Sequence, residues 1–212
     1  MDKLIEKYIY EHSSSEDPLL DDLYRKTHIK FVNPNMSAGH MQGKLLEFIS
    51  AMVNPENILE IGTYTGYSAI CLARGLKPGG KLITIEMNDE LKEFACSYFK
   101  KAGLGSEIIQ LTGHAQEIIP GLDKTFDLIY IDGDKREYTE YFNLVKKKIK
   151  PNGFILADNV LWGNKVTDKN IKDPQTKGIL EFNEMINKQK DLDNIILPLR
   201  DGLSLIRFRK ST

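Results

Sequence analysis

Two groups of residues in this chain have the types and spacing to do chemistry. The first is Glu60-Ile61-Gly62-Thr63-Tyr64-Thr65-Gly66-Tyr67-Ser68, an acid closing a short apolar run, followed by two spaced glycines. Glycines at a strand–turn–helix junction let the backbone approach a nucleotide-like ligand closely. The spacing is not the G-x-G-x-x-G of a dinucleotide site. An acid ahead of the glycines would repel a pyrophosphate, yet it suits a ligand with a cationic amino group. Glu86 ends the next apolar run, at the place expected for an acid that holds ribose hydroxyls. Together these point to an adenosyl ligand without phosphates and with a cationic tail, S-adenosylmethionine (SAM). The plainer reading is two ordinary exposed acids and glycines that only turn the chain.

The second group is Asp132-Gly133-Asp134-Lys135 and Asp158-Asn159, again at the ends of apolar runs. Carboxylates gathered beyond neighbouring strand ends repel one another unless something positive lies between them. Two carboxylates and an amide oxygen, with no nearby Cys or paired His, make a hard oxygen site suited to Mg²⁺, Mn²⁺ or Ca²⁺ rather than zinc. Helix N-capping is the alternative. It accounts for one Asp per turn but not for Asp132, Asp134, Asp158 and Asn159 together. His12, His28, His40 and His114 show no ligand spacing and read as surface or structural.

The elements that must position these residues follow from hydropathy. Leu4, Ile5, Tyr8 and Ile9 recur at helical spacing, and Asp17-Pro18 opens a second helix with Leu19, Leu20, Leu23 and Tyr24 on one face. Asn33-Pro34-Asn35 marks a turn, and Leu45, Phe48, Ile49 and Met52 predict a third amphipathic helix. We assign residues 1–55 as a helical cap segment and 56–212 as the core of a single domain. In the core, apolar runs at 58–61, 81–85, 108–111, 126–131 and 154–157 alternate with helical stretches near 67–75, 89–102, 115–119, 135–149 and 174–190. That alternation predicts a parallel sheet covered on both faces. Two further runs, 195–197 and 204–208, flank Arg200-Asp201-Gly202, a hairpin signal. The expected fold is α/β: a Rossmann-like, seven-stranded, mostly parallel sheet with helices on both faces and a C-terminal antiparallel hairpin. Ligands of such sheets bind beyond the carboxyl ends of the strands.

Composition narrows the class. In 212 residues, 29 Lys+Arg face 30 Asp+Glu, which weakens any general electrostatic case for nucleic-acid or membrane binding. No apolar run is long enough to cross a bilayer, and Met1-Asp2-Lys3-Leu4-Ile5-Glu6-Lys7 reads as a charged helix rather than a signal peptide. Cys71 and Cys96 read as two buried thiols in a reducing compartment. The expectation is a soluble cytoplasmic enzyme. Lys146-Lys147-Lys148-Ile149-Lys150 reads as the solvated last turn of a helix rather than a site for phosphates.

Leu-Glu-Ile-Gly-Thr-Tyr-Thr-Gly-Tyr-Ser at 59–68, Ile-Asp-Gly-Asp-Lys at 131–135 and Ala-Asp-Asn-Val-Leu-Trp-Gly at 157–163 resemble the cation-dependent, class I O-methyltransferases of the caffeoyl-CoA and catechol type. The likeness runs from Asp17 to Leu203. It implies a SAM-dependent and divalent-metal-dependent transfer of a methyl group to a hydroxyl of a catechol-like or caffeoyl-type aromatic. It implies metal ligation by Asp132, Asp158 and Asn159, with Mg²⁺ the first expectation. Cofactor contacts are implied for Met36 and Ala38, and for Glu60, Gly62, Thr63, Tyr64 and Ser68 around the methionine half. By the same likeness Glu86 holds the ribose, Ala115 and Gln116 flank the adenine, and Asp132 and Asp134 lie near the cofactor. Lys135 is implied as the general base, beside its plain reading as a salt bridge to Asp132 or Asp134. Trp162 is either an aromatic wall for the acceptor or a loop anchor.

The sequence departs from the catechol enzymes in one respect: no glutamate stands near Ile195, where they carry one for the second hydroxyl. This leans toward the broader bacterial caffeoyl-CoA-like branch. A tRNA hydroxyuridine O-methyltransferase is the first alternative. A non-catalytic adenosyl-binding protein or an NAD-dependent dehydrogenase is the second. The resemblance implies a homodimer, and the Leu4/Ile5/Tyr8/Ile9 face could pack against a second copy or against its own sheet.

Overall fold

The structure, a computed structural model, describes residues 3–168 and 170–209. Met1 and Asp2, at the start of the predicted charged helix, and Lys169, in the loop from Leu161 to Pro174, lie outside the described residues. The chain opens with α1 (Lys3–Glu11), α2 (Pro18–Lys30), a 3-10 turn at Pro34–Met36 and α3 (Gly39–Val53). Asp17 starts α2 as expected: its Oδ1 accepts from Leu19 N–H at 2.8 Å, with Pro18 in the first turn, where a missing N–H costs nothing. On α3 the buried face is only partly the one the hydropathy predicts: Ile49 is buried and Leu45 packs against the core. Gln42, Leu46 and Ile49 point inward, whereas Phe48 and Met52 are exposed. The physical reason is Gly43, whose missing side chain leaves room for Tyr67 and Cys71 and so rotates that stripe onto α4.

The core then runs β1 (Asn57–Ile61), α4 (Tyr67–Ala73), β2 (Lys81–Glu86), α5 (Lys92–Lys101), β3 (Ile108–Thr112), α6 (Ala115–Gly121), β4 (Phe126–Ile131), α7 (Tyr138–Val145), β5 (Ile149–Ala157), α8 (Pro174–Lys188), β6 (Leu192–Leu197) and β7 (Leu203–Phe208). The strand order is β3-β2-β1-β4-β5-β7-β6, parallel except for β7, which runs antiparallel to both β5 and β6. Alternate strand residues go to opposite faces. Ile58, Leu82, Leu128 and Leu156 pack with α2 to α5, and Leu59, Ile83, Ile129 and Ile155 pack with α6 to α8.

Several expectations shift. Residues 135–149 are not one helix: a 3-10 turn covers Lys135–Glu137, α7 ends at Val145, and Ile149 already pairs with Phe126 in the sheet. The lysine run is therefore not simply a helix end. Lys148 Nζ donates to Leu122 O at 2.6 Å, and Lys150 Nζ lies 3.0 Å from an Asp127 carboxylate oxygen. Cys71 is buried but Cys96 is only partly so. Leu4, Ile5 and Tyr8 of α1 are exposed, so that face does not pack on its own sheet. Among the described residues no helix is long and apolar enough to cross a membrane.

Candidate active site

Sheet order reverses between β1 and β4, and a crevice opens there beyond the strand ends. Backbone bonds carry the register past each strand: Gly62 N–H to Ile85 O at 2.9 Å, Asp132 N–H to Ile61 O at 2.8 Å, and Asp158 N–H to Ile131 O at 3.0 Å. Residues far apart in the chain thereby meet in one cavity of about 800 Å³. Met36, Ala38, Gly62, Thr63, Tyr64, Ser68, Glu86, Ala115, Gln116, Asp132, Asp134, Lys135, Asp158, Asn159 and Trp162 all line it.

Glu60 differs from the rest. It lies beneath the glycine turn, fully buried, where its Oε2 accepts from Thr84 Oγ1 at 2.6 Å and its Oε1 has no hydrogen-bond partner. Burial drives its carboxyl up to about 8; the Ser68 and Thr84 hydroxyls oppose that shift, and the negative charges of Asp132 and Glu86 add to it. Glu86 opens onto the cavity while accepting from Tyr64 N–H at 2.8 Å and Asn88 N–H at 3.0 Å. One carboxylate thus pins the turn and still presents lone pairs to a ligand.

The second group is a network. Lys135, nearly buried, places Nζ 2.7 Å from Asp132 Oδ1 and 2.9 Å from Tyr138 Oη, so the salt-bridge reading of this lysine is present in the geometry. Asp158 Oδ2 accepts from Tyr130 Oη at 2.8 Å and from Gln42 Nε2, and its Oδ1 accepts from Asn159 N–H at 2.7 Å. Burial lifts the Asp132 carboxyl to about 6; Lys135 pulls it down and neighbouring Asp158 pushes it up. Asp134 does what the capping alternative expects: it accepts from Arg136 N–H at 3.0 Å and pairs with the Arg136 guanidinium at the rim. Trp162 is both wall and anchor. It lines the cavity, with Lys135 Nζ 6.0 Å from its ring, and it also packs against the α6–α8 side of the core.

The oxygen set fits a hard cation chemically. Two carboxylates lie near each other in a desolvated place, and Asn159 lines the same cavity. No cluster of three or more His, Cys, Asp or Glu side chains placed for a metal occurs among the described residues. The set in question is two acids and one amide. Glu86, which opens onto the cavity, is the carboxylate of the first group that fits a ligand with hydroxyls to bind.

Sequence reading missed Gln42, Tyr130 and Tyr138 as site residues, and it reached Arg200 only by neighbourhood, as part of a stretch expected to set the acceptor. Gln42 and Tyr130 had a signal, each being a polar group in an otherwise apolar stripe. The contacts of Arg200 were not readable, because its partners Asn35, Ser37 and Ala38 are distant in sequence.

Fold and site together define a Rossmann-like enzyme with an adenosyl-type pocket. The sequence model of the O-methyltransferase family matches residues 10–209. A catechol O-methyltransferase of Niastella koreensis is 38% identical over 181 residues, 81% of this chain and 82% of that protein. The O-methyltransferase TomG of Streptomyces achromogenes, solved in complex with SAM, superposes with a TM-score of 0.89 at 32% identity, covering 97% of this chain and 96% of that one. An O-methyltransferase of Bacillus cereus, solved with SAH, gives 0.87 at 28% identity and 97% of both chains. The chain belongs to the O-methyltransferase family, and it is an enzyme of methyl transfer rather than a dehydrogenase.

Proposed function

We propose that this chain transfers the methyl group of SAM to a hydroxyl of a catechol-like or caffeoyl-type aromatic, with a divalent cation held by Asp132, Asp158 and Asn159. The observation that carries this reading is the meeting of Asp132, Lys135 and Asp158 in the same cavity as the glycine turn and Glu86. SAM supplies a methyl carbon on a sulfonium. A divalent cation, Mg²⁺ first and Mn²⁺ or Ca²⁺ next, supplies positive charge that favours the ionised form of an acceptor hydroxyl.

The chain's own residues do the rest. Glu86 receives the ribose hydroxyls, Ala115 and Gln116 border the base, and Met36 and Ala38 cover the methionine half. Gly62, Thr63, Tyr64 and Ser68 shape its floor, and Glu60 lies beneath it, bonded to Thr84. Asp134 stands at the rim beside the donor. Lys135 Nζ is the group placed to accept the hydroxyl proton, once it has given up a proton of its own. Asp132 Oδ1 and Tyr138 Oη fix where that nitrogen sits. With donor and acceptor held in line, positioning carries much of the rate. Trp162 walls the acceptor side.

The test is transfer from labelled SAM to a catechol and caffeoyl panel and, in parallel, to tRNA lacking the modification, each with Mg²⁺ or Mn²⁺ and again with EDTA. EDTA-sensitive label on the aromatics is the expected result. Label on tRNA alone would replace the acceptor, and EDTA-resistant label would remove the cation.

A further inference from the structure

Among the described residues, three cationic side chains line the cavity: Lys135, Arg136 and Arg200. Lys135 is paired with Asp132, and Arg136 with Asp134. Arg200 has no carboxylate within salt-bridge distance among the described residues. Its Nη1 donates to Ser37 O at 2.9 Å, to Ala38 O and weakly to Gln42 Oε1 at 3.4 Å, and its Nη2 donates to Asn35 O at 3.2 Å. All four acceptors are neutral. A guanidinium has five N–H donors in a planar fork. The Nε–H has no partner among the described residues, and Nη2 has one N–H more than its single acceptor uses. These two nitrogens form one edge of the fork, the edge that takes a carboxylate through two parallel bonds.

The place of this edge matters. Gln42 donates from Nε2 to Asp158 Oδ2 and accepts from Arg200 at Oε1. Arg200 is therefore one side-chain amide away from Asp158, roughly the span of a single substituted ring. Its charge also acts on Asp132 across the cleft. Arg200 sits at φ 47, a left-handed backbone that strains any residue with a Cβ. The neighbouring acid, Asp201, is turned to the Gly163 amide.

We propose that Arg200 is the specificity-determining residue for the acceptor: it binds an acidic substituent on the ring, so that vicinal-dihydroxy aromatic acids are preferred to their neutral esters, amides or thioesters. This rests on the acceptor reading above, with the adjacent ring oxygens at the Asp132/Asp158 end and the carboxylate at Arg200.

The test compares kcat/KM for 3,4-dihydroxybenzoate and its methyl ester in the wild type, Arg200→Gln and Arg200→Lys. In the wild type the acid should exceed the ester by roughly ten- to hundredfold, the scale of a charge-assisted bidentate contact. In Arg200→Gln that ratio should collapse toward one, whatever common loss both substrates suffer from a loosened 35–38 segment. Arg200→Lys, a cation without the fork, should fall between. If Arg200→Gln does not fold, the wild type still decides. The KM for the acid should rise with ionic strength while that for the ester stays flat, because screening acts only on the charged pair. An acid-to-ester ratio near one in the wild type, or a ratio unmoved in Arg200→Gln, overturns the proposal and leaves the acceptor reading standing. Turnover of neither compound removes both.

Discussion

Glu60 is a carboxyl group that water does not reach, and its proton is linked to the fold. Burial raises its pKa from 4.5 to about 8, so the folded chain holds this proton more tightly than the unfolded one. The sign follows. The stabilising effect is fully present below pH 4.5 and is lost as pH rises toward 8, at a rate of at most about 1.4 kcal/mol per pH unit. Glu60→Gln keeps an acceptor for Thr84 without a charge. Its melting temperature should fall less between pH 5 and 9 than that of the wild type, measured without ligand by calorimetry. Parallel curves would show that Glu60 does not titrate in this range. Asp158 works differently, because Gln42, Tyr130 and Asn159 all spend donors on it. Asp158→Ala would leave those donors buried and unpaired, so Asp158→Asn is the cleaner probe. It should retain the fold and lose roughly a hundredfold or more of metal-dependent turnover. Circular dichroism and labelled methyl transfer check the two halves. Glu86→Ala should weaken SAM binding by roughly 1–3 kcal/mol in titration calorimetry, the scale of losing charged hydrogen bonds.

At the scale of elements, the turn between β1 and α4 is where backbone freedom is spent. Gly62 has φ 99, and a Cβ there would run into the Asp132 carbonyl. Gly62→Ala should therefore strain the turn and push β4's end away from β1, costing roughly 1–3 kcal/mol. It should also lower SAM affinity, and chemical denaturation with calorimetry on the same variant reads both effects. Much of this element pattern was legible. Apolar runs showed the strands because the sheet is buried on both faces, and Asp17-Pro18 showed a helix start because capping is local. The face of α3 was legible only in part, for Leu45 and Ile49: Gly43, Tyr67 and Cys71 settle the rest by close packing between two helices. The start of β5 at Ile149 was hidden too, since its pairing with Phe126 across a register shift overrides the local helical pattern.

The whole molecule leaves one helix with little cover. Ile5 and Tyr8 of α1 are more than half exposed, at 53% and 59%, which supports the proposal that this face meets a second copy of the chain. Wild-type protein should run as a dimer in light scattering, and the Ile5→Glu/Tyr8→Glu double variant should run as a monomer. A monomeric wild type would assign the face to another use.

Sequence by itself determined the order of strands and helices, the glycine turn with Glu60 and Glu86, and the acids Asp132, Asp134 and Asp158. These rest on periodicity, turn chemistry and charge, which act between near neighbours. Only the tertiary structure decided that Glu60 lies under the cavity rather than in it. It also decided that Gln42 and Tyr130 hold Asp158, and that Arg200 faces the cleft with one edge open. The reason is reach: each of the last three contacts joins segments from different parts of the chain, and only sheet register and helix packing bring them within hydrogen-bond distance.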